Sequence, residues 1–88
     1  MYQNYPNPAN PATIIGYQLP FASDVTLKIY DVLGRETATL VKGVQEAGYH
    51  KAEWNALNFS SGMYIYRITA RGANGKTFTA NKKMMIVK

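Results

Sequence analysis

The chain contains no cysteine. That excludes a disulfide framework, a thiolate nucleophile and a cysteine metal site, and it leaves the redox compartment open. No apolar run approaches the roughly 20 residues that a membrane-spanning helix needs. No stretch sustains a 3.6-residue hydrophobic period, so almost no helix is expected. Histidine occurs once, at position 50, and a catalytic or metal-binding histidine needs partners that are absent here. The carboxylates Asp24, Asp31, Glu36, Glu46 and Glu53 are spread along the chain and form no D-x-D or E-x-x-E pair. Ser23, Ser60 and Ser61 lack a nucleophile-elbow context, and no glycine pattern suits a phosphate loop. The sequence therefore points away from an enzyme, with no catalytic residue, metal or cofactor implied.

Acidic residues are also scarce: five against ten Lys and Arg, for a net charge of +5. The basic residues are scattered apart from Lys82-Lys83 and Lys88, which favours a solvated surface over nucleic acid or anionic lipid. Arg67 and Lys76 with Tyr66 and Phe78 are the one basic-aromatic set a single-stranded nucleic acid could use. Alternation along an ordinary two-sided strand produces the same pattern. Asn58-Phe59-Ser60 has the form of a glycosylation acceptor, a triplet common by chance. Met1-Tyr2-Gln3-Asn4 has no basic-then-apolar signal; it reads as a start placed on a fragment whose own signal peptide lies upstream.

What is abundant is β-forming. Seven Tyr, three Phe and Trp54 stand in 88 residues that are 47% hydrophobic and 17% charged, a balance for one folded β domain rather than a disordered chain. Residues 1–11 hold Pro6, Pro8 and Pro11 and read as an extended arm or linker, with Tyr5 as an anchor. Residues 12–88 read as the sandwich. Ala12–Leu19 is a strand with Ile15, Tyr17 and Leu19 on one face, and Gly16 marks a bulge or a close approach.

The organising stretch is Asp24–Glu36. Val25, Leu27 and Ile29 alternate with polar residues, and Asp31-Val32-Leu33-Gly34 suits a type I turn. Arg35–Val41 follows as a strand whose inward face is ambiguous, since Ala38 and Leu40 compete with Thr37, Thr39 and Val41. Gly43–Gly48 reads as a loop. Tyr49–Trp54 is a strand that points Trp54 inward, and Asn55–Gly62 reads as a polar loop. Met63–Ala70 carries Tyr64, Tyr66 and Ile68 on one face, and Tyr64 stands where a tyrosine corner would form. Asn74-Gly75 predicts a two-residue type I′ hairpin. Thr77–Val87 is one long strand or two short ones broken near Asn81. Six or seven short strands with regular turn signals imply an all-β antiparallel sandwich or barrel.

Four stretches resemble one family. NYPNPANPATIIGYQL is similar to the opening motif of the C-terminal sorting domains of the type IX secretion system of Gram-negative bacteria, also called Por secretion tail domains. DVTLKIYDVLGRE resembles the family's strand and D-x-x-G-[RK] turn. GYHKAEWNALNFSSGMYIYRI resembles its H-x-x-x-W-[ND] strand and S-G-x-Y-x-Y-[RK] strand, and KKMMIVK its lysine-framed last strand. Ala9 departs from a frequent Phe, and Thr37 from a usual aliphatic.

The resemblance implies an immunoglobulin-like β-sandwich that labels an exported cargo and has no catalysis of its own. The implied partners are the outer-membrane translocon, a sortase-like peptidase and the upstream cargo domain, and the implied destination is the cell surface or the medium. By position, Asp31, Gly34 and Arg35 form the turn, Trp54 belongs to the core, and Gly62 and Tyr64 form the corner. Lys82, Lys83, Met84, Met85, Ile86, Val87 and Lys88 present the signal. The alternative is an accessory adhesion or carbohydrate-binding sandwich that displays Tyr30, Tyr49 and Phe59; a flagellar hook-cap module shares the architecture. A last strand that coincides with the end of the chain favours sorting.

Overall fold

A computed structural model describes residues 12–87. The proline-rich arm, residues 1–11 with Tyr5 and Ala9, and the terminal Lys88 lie outside the described residues. Six strands follow one another: β1 Ala12–Leu19, β2 Ser23–Asp31, β3 Glu36–Gln45, β4 Gly48–Asn55, β5 Gly62–Gly72 and β6 Thr77–Ile86. They form two antiparallel sheets, β1-β4 and β3-β2-β5-β6. The fold is the expected all-β, immunoglobulin-like sandwich.

Alternation builds the core. Ile15, Tyr17 and Leu19 of β1 and Trp54 of β4 face Val25, Leu27 and Ile29 of β2 and Tyr64, Tyr66, Ile68 and Ala70 of β5. Met84 and Ile86 of β6 complete it. Strand period two places each of these on one face while Thr26, Lys28, Tyr30, Ile65 and Arg67 face outward. Tyr66 is buried and Phe78 packs against the core. Both aromatics of the basic-aromatic set therefore point away from Arg67.

The ambiguity of β3 has a structural cause. Leu27 pairs with Val41 but Lys28 pairs with Thr39, and Ile29 pairs with Ala38 but Tyr30 with Glu36. Leu40 and Thr37 are thus extra residues in two β-bulges, each of which resets the alternation. Ala38, Leu40 and Val41 can all pack on the core as a result. Thr37 uses its hydroxyl to donate to the Ile29 carbonyl at 3.2 Å. β3 also continues through Gly43, opposite Val25, to Gln45, so the expected Gly43–Gly48 loop shrinks to Glu46 and Ala47.

One other expectation is corrected, and two alternatives are decided. Asn74-Gly75 is not a type I′ turn, because no described non-glycine residue has positive φ. Gly75 N–H donates to the Gly72 carbonyl and Gly72 N–H to the Lys76 carbonyl. Gly75 therefore occupies the fourth position of a type I turn, at φ 81°. Asn74 Oδ1 accepts from Lys76 N–H at 3.0 Å, which keeps Asn74 in the third position. β6 is a single unbroken strand with continuous register against β5. At Gly16 the close approach holds and the bulge does not. The β1-β4 register is continuous, and a Cβ at Gly16 would lie 2.6 Å from the Tyr49 hydroxyl. Tyr49 covers the backbone that glycine leaves bare, as aromatics do beside strand glycines.

Trp54 is the bridge between sheets, with its ring centroid 5.1 Å from Tyr64 in an edge-on arrangement and 5.5 Å from Phe59. Such pairs contribute about 0.5–1.5 kcal/mol beyond area burial. Trp54→Ala removes these contacts and leaves a cavity, so it is expected to cost about 3–5 kcal/mol, a large share of the stability of a domain this small. Native Trp54 emission should be blue-shifted and move to the red on denaturation. A solvent-like native spectrum would contradict the packing.

Candidate functional site

The residues singled out by sequence come from three separate stretches, and the topology brings them to one end of the sandwich. β1 starts there, with Ala12 opposite Asn55. β2 ends there, with Asp31 opposite Tyr64, and β6 ends there, with Ile86 opposite Gly62. This pole therefore gathers the Asp31–Arg35 turn, the loop from Asn55 to Gly62 and the last residues of β6.

The turn is fixed by its aspartate. Asp31 Oδ1 accepts from the N–H groups of Leu33 and Arg35, both at 2.9 Å, and Oδ2 accepts from Arg35 Nε at 2.8 Å. The backbone closes the same ring: Gly34 N–H donates to the Asp31 carbonyl, and Asp31 N–H to the Arg35 carbonyl, both at 3.0 Å. Gly34 sits at φ 81°, where a glycine has no Cβ penalty. Glu36, the next residue, pairs with Lys28 at 2.8 Å. The Asp31 and Glu36 carboxylates are thus both already engaged.

The loop is less polar in space than in sequence. Ala56 is fully buried and Phe59 packs on Trp54. Asn55 Oδ1 accepts from Leu57 N–H at 3.0 Å, and Phe59 N–H donates to the Ala56 carbonyl at 2.9 Å. Tyr64 donates its hydroxyl to the Ser60 carbonyl at 2.7 Å while its ring stays in the core, the geometry of a tyrosine corner. Sequence reasoning missed Ala56 and Phe59 as core residues; the apolar positions inside an otherwise polar loop were the available signal.

Between turn and loop lies an open groove of about 670 Å³, lined in part by Val32, Leu33, Phe59, Met63 and Tyr64. Of the residues expected to present a signal, Met84 and Ile86 face the core, whereas Lys82, Lys83, Met85 and Val87 are exposed. Lys82 has the parity of the inward face, between Ala80 and Met84, yet reaches solvent. Among the described residues β6 is an edge strand, and a charge at such a position is a usual guard against uncontrolled pairing.

Away from this pole, His50, Tyr17 and Gln45 pair with one another or with the backbone. The Nε2 of His50 is 2.7 Å from the Glu46 carbonyl, and its ring stacks on Tyr17 at 5.5 Å. Tyr17 reaches from β1 to Gln45 of β3, and burial pushes its phenol up. Among the described residues no three His, Cys, Asp or Glu side chains cluster to hold a metal, and no helix is long and apolar enough to cross a membrane. The three aromatics of a carbohydrate platform do not share a face. Tyr30 lies under the Arg67 guanidinium at 5.4 Å on the outer face of the four-stranded sheet. Tyr49 covers Gly16 on the other sheet, and Phe59 is folded onto Trp54.

Fold and pole together define a small immunoglobulin-like module whose sequence motifs converge on one end. Residues 3–87 match the family model described as a secretion system C-terminal sorting domain, and the chain belongs to that family, the sorting domains of the type IX secretion system. Domains of this family mark proteins for the cell surface or for release, and so act with the type IX machinery and an upstream cargo. No curated protein and no solved structure matches the chain.

Two outcomes test the turn. Gly34→Val forces a β-branched residue to positive φ and should destabilise by about 1–3 kcal/mol, read as a lower denaturation midpoint. An unchanged midpoint would mean that the turn tolerates the side chain. The second outcome concerns pH. The Arg35 backbone N–H, with its guanidinium and the Leu33 N–H, holds the Asp31 carboxyl below its ordinary value of 3.8. A depressed folded-state pKa gives stability that is complete above the ordinary value and is lost as pH falls through the lower one. The melting temperature of the native domain should therefore drop more steeply below about pH 4 than that of Asp31→Asn, which keeps an acceptor but has no titrating carboxylate. Parallel curves would remove Asp31 as the source.

Proposed function

We propose that this domain is a non-catalytic sorting signal that directs its cargo through the type IX system for surface attachment or release. The family match over residues 3–87 carries this reading. We further place recognition by the outer-membrane translocon, and by the sortase-like peptidase that acts on exported cargo, at Lys82–Lys88. The turn residues Asp31, Gly34 and Arg35, with Trp54, Gly62 and Tyr64, hold the fold that presents that strand. As a domain boundary, residues 1–11 serve as the linker to cargo and residues 12–88 as the label.

The form of β6 supports this assignment. A partner that reads a strand needs free backbone groups for affinity and side chains for register. Among the described residues β6 is an edge without a bulge in its register; it exposes Lys82, Lys83 and Met85, and Val87 just beyond it is exposed too. A non-catalytic role is supported by the engagement of the sole histidine with Glu46 and Tyr17.

Residues 1–88 fused behind a periplasmic reporter should suffice for export in a cell with the type IX machinery. Replacing Lys82, Lys83 and Lys88 with Ala should reduce export while stability stays within about 0.5 kcal/mol, as for most exposed substitutions. A folded intact fusion that stays in the periplasm, while the machinery exports its own cargo, refutes the sorting function. Equal export of the folded triple variant refutes the lysine assignment alone.

A further inference from the structure

We propose that the pole is a composite docking surface on which Val32 and Leu33 act together with Met63, Met85 and Val87, and that its occupant is a partner polypeptide segment carrying apolar side chains and carboxylates. The proposal rests on the sorting reading above and names the surface and the chemistry of the partner.

The first observation is the apex of the β2-β3 turn. Hairpin apices are ordinarily built from Gly, Asn, Asp, Ser or Pro. Here two aliphatic side chains stand there, Val32 at 68% and Leu33 at 74% exposure. Neither supports the core. The Asp31 carboxylate and the backbone ring hold both in one geometry. A rigid apolar apex loses little further conformational freedom when a partner covers it.

The second observation is continuity. Val32, Leu33 and Met63 line the same open groove. Met63 stands directly opposite Met85 in the β5-β6 ladder, and Val87 follows two residues on, with the same strand parity. All are exposed. The apolar surface therefore runs from the turn, across β5, to the end of the edge strand. Contiguous exposed apolar surface of this kind marks interaction sites, and methionine side chains adapt to a partner's shape.

Charge selects the occupant. At this pole Asp31 is bound by Arg35 and Glu36 by Lys28. Among the described residues, Lys82 and Lys83 have no ion-pair partner. Both stand on the strand that carries Met85 and Val87, so carboxylates on the occupant complement them. A second copy of this chain brings the same lysines, and the two carboxylates beside its apolar apex, Asp31 and Glu36, are already paired. A lipid surface offers apolar contact and negative charge but cannot extend a ladder. The outer edge of β6, which no strand covers among the described residues, presents backbone donors and acceptors that another polypeptide satisfies.

The test uses the reporter fusion of residues 1–88. Val32→Asp with Leu33→Asp is expected to cut export at least tenfold, and Lys83→Glu to reduce it as well. Val44→Asp is the control: Val44 is 81% exposed at the opposite end, and export should stay within twofold of the intact fusion. Melting temperature and Trp54 emission of each purified variant establish folding. If the double aspartate variant fails to fold, Leu33→Ser replaces it, with Leu33→Met expected to restore export. Equal export of the folded turn variants, or an equal loss with Val44→Asp, overturns the proposal. So does a concentration-dependent dimer of the isolated domain that Leu33→Asp dissociates, which would make the pole a self-interface. So does flotation with phosphatidylglycerol–phosphatidylcholine vesicles that Leu33→Asp abolishes, which would make it a lipid contact. If the intact fusion itself is not exported, the sorting reading falls first and this one with it.

Discussion

The packing of Trp54 against Tyr64 is the contact on which the rest depends. The two sheets share no strand, and one of them contains only β1 and β4 among the described residues. A two-stranded ribbon is not stable by itself. It must be held by side chains across the gap, and Trp54 is the largest of them. Tyr64 meets it from the other sheet and is itself tied to Ser60 by its hydroxyl. Phe59 covers the same indole from the loop. One aromatic cluster thus closes the core, orders the loop after β4 and sets where β5 begins. Since Asp31 pairs with Tyr64 and Ile86 with Gly62, the turn and the last strand inherit their positions from that cluster.

This dependence explains which parts of the molecule could be read in advance. Strands β1, β2, β4 and β5 were legible because each has one buried and one wet face, and the period of two survives in the residues. The turn at Asp31 was legible because an aspartate and a glycine at fixed spacing have local chemistry that needs no tertiary partner. β3 was legible as a strand but its inward face was not, because two bulges break its period and let both parities reach the core. A bulge is a property of two strands in register and leaves no mark in one of them. The Asn74-Gly75 turn was misread for a related reason. The dipeptide favours a type I′ turn, but the register of β5 with β6 closes the hairpin one residue earlier, so glycine moves to the fourth position and asparagine to a side-chain acceptor role. At the site, the motifs were visible as separate stretches. Their meeting at one pole was not, since antiparallel topology decides which strand ends share a side. Val32 and Leu33 were legible as turn residues, but a turn assignment does not say which other apolar side chains stand beside them in space.

The two edges of the four-stranded sheet are treated differently, and the contrast bears on function. A free edge can pair with another chain, so proteins blunt it by bulges or charge. β3 is blunted by geometry: both bulges and Gly43 lie on it. β6 keeps continuous register along its length against β5, and its protection is chemical, through Lys82 and Lys83. A bulge blocks every pairing partner alike. Lysines block partners that are apolar or basic and admit those that bring carboxylates. An edge guarded in this second way stays selective rather than closed, which is the property that the proposed reading of β6 by a partner needs.

The same logic accounts for the division of labour at the pole. Arg35 and Lys28 could have served as exposed cations, but each is consumed by a neighbouring carboxylate, Asp31 and Glu36. Exposed ion pairs contribute little to stability, so their effect is mainly on the surface the domain presents. They neutralise the turn and leave its apex apolar, while the uncompensated positive charge stands on β6. An apolar apex beside a basic edge distinguishes partners by two independent criteria. Acidity without apolar contact leaves Val32 and Leu33 in water. Apolar contact without acidity leaves the lysines to be desolvated without a partner, which costs more than it returns. Specificity at such a surface arises as much from the partners it penalises as from the one it accepts.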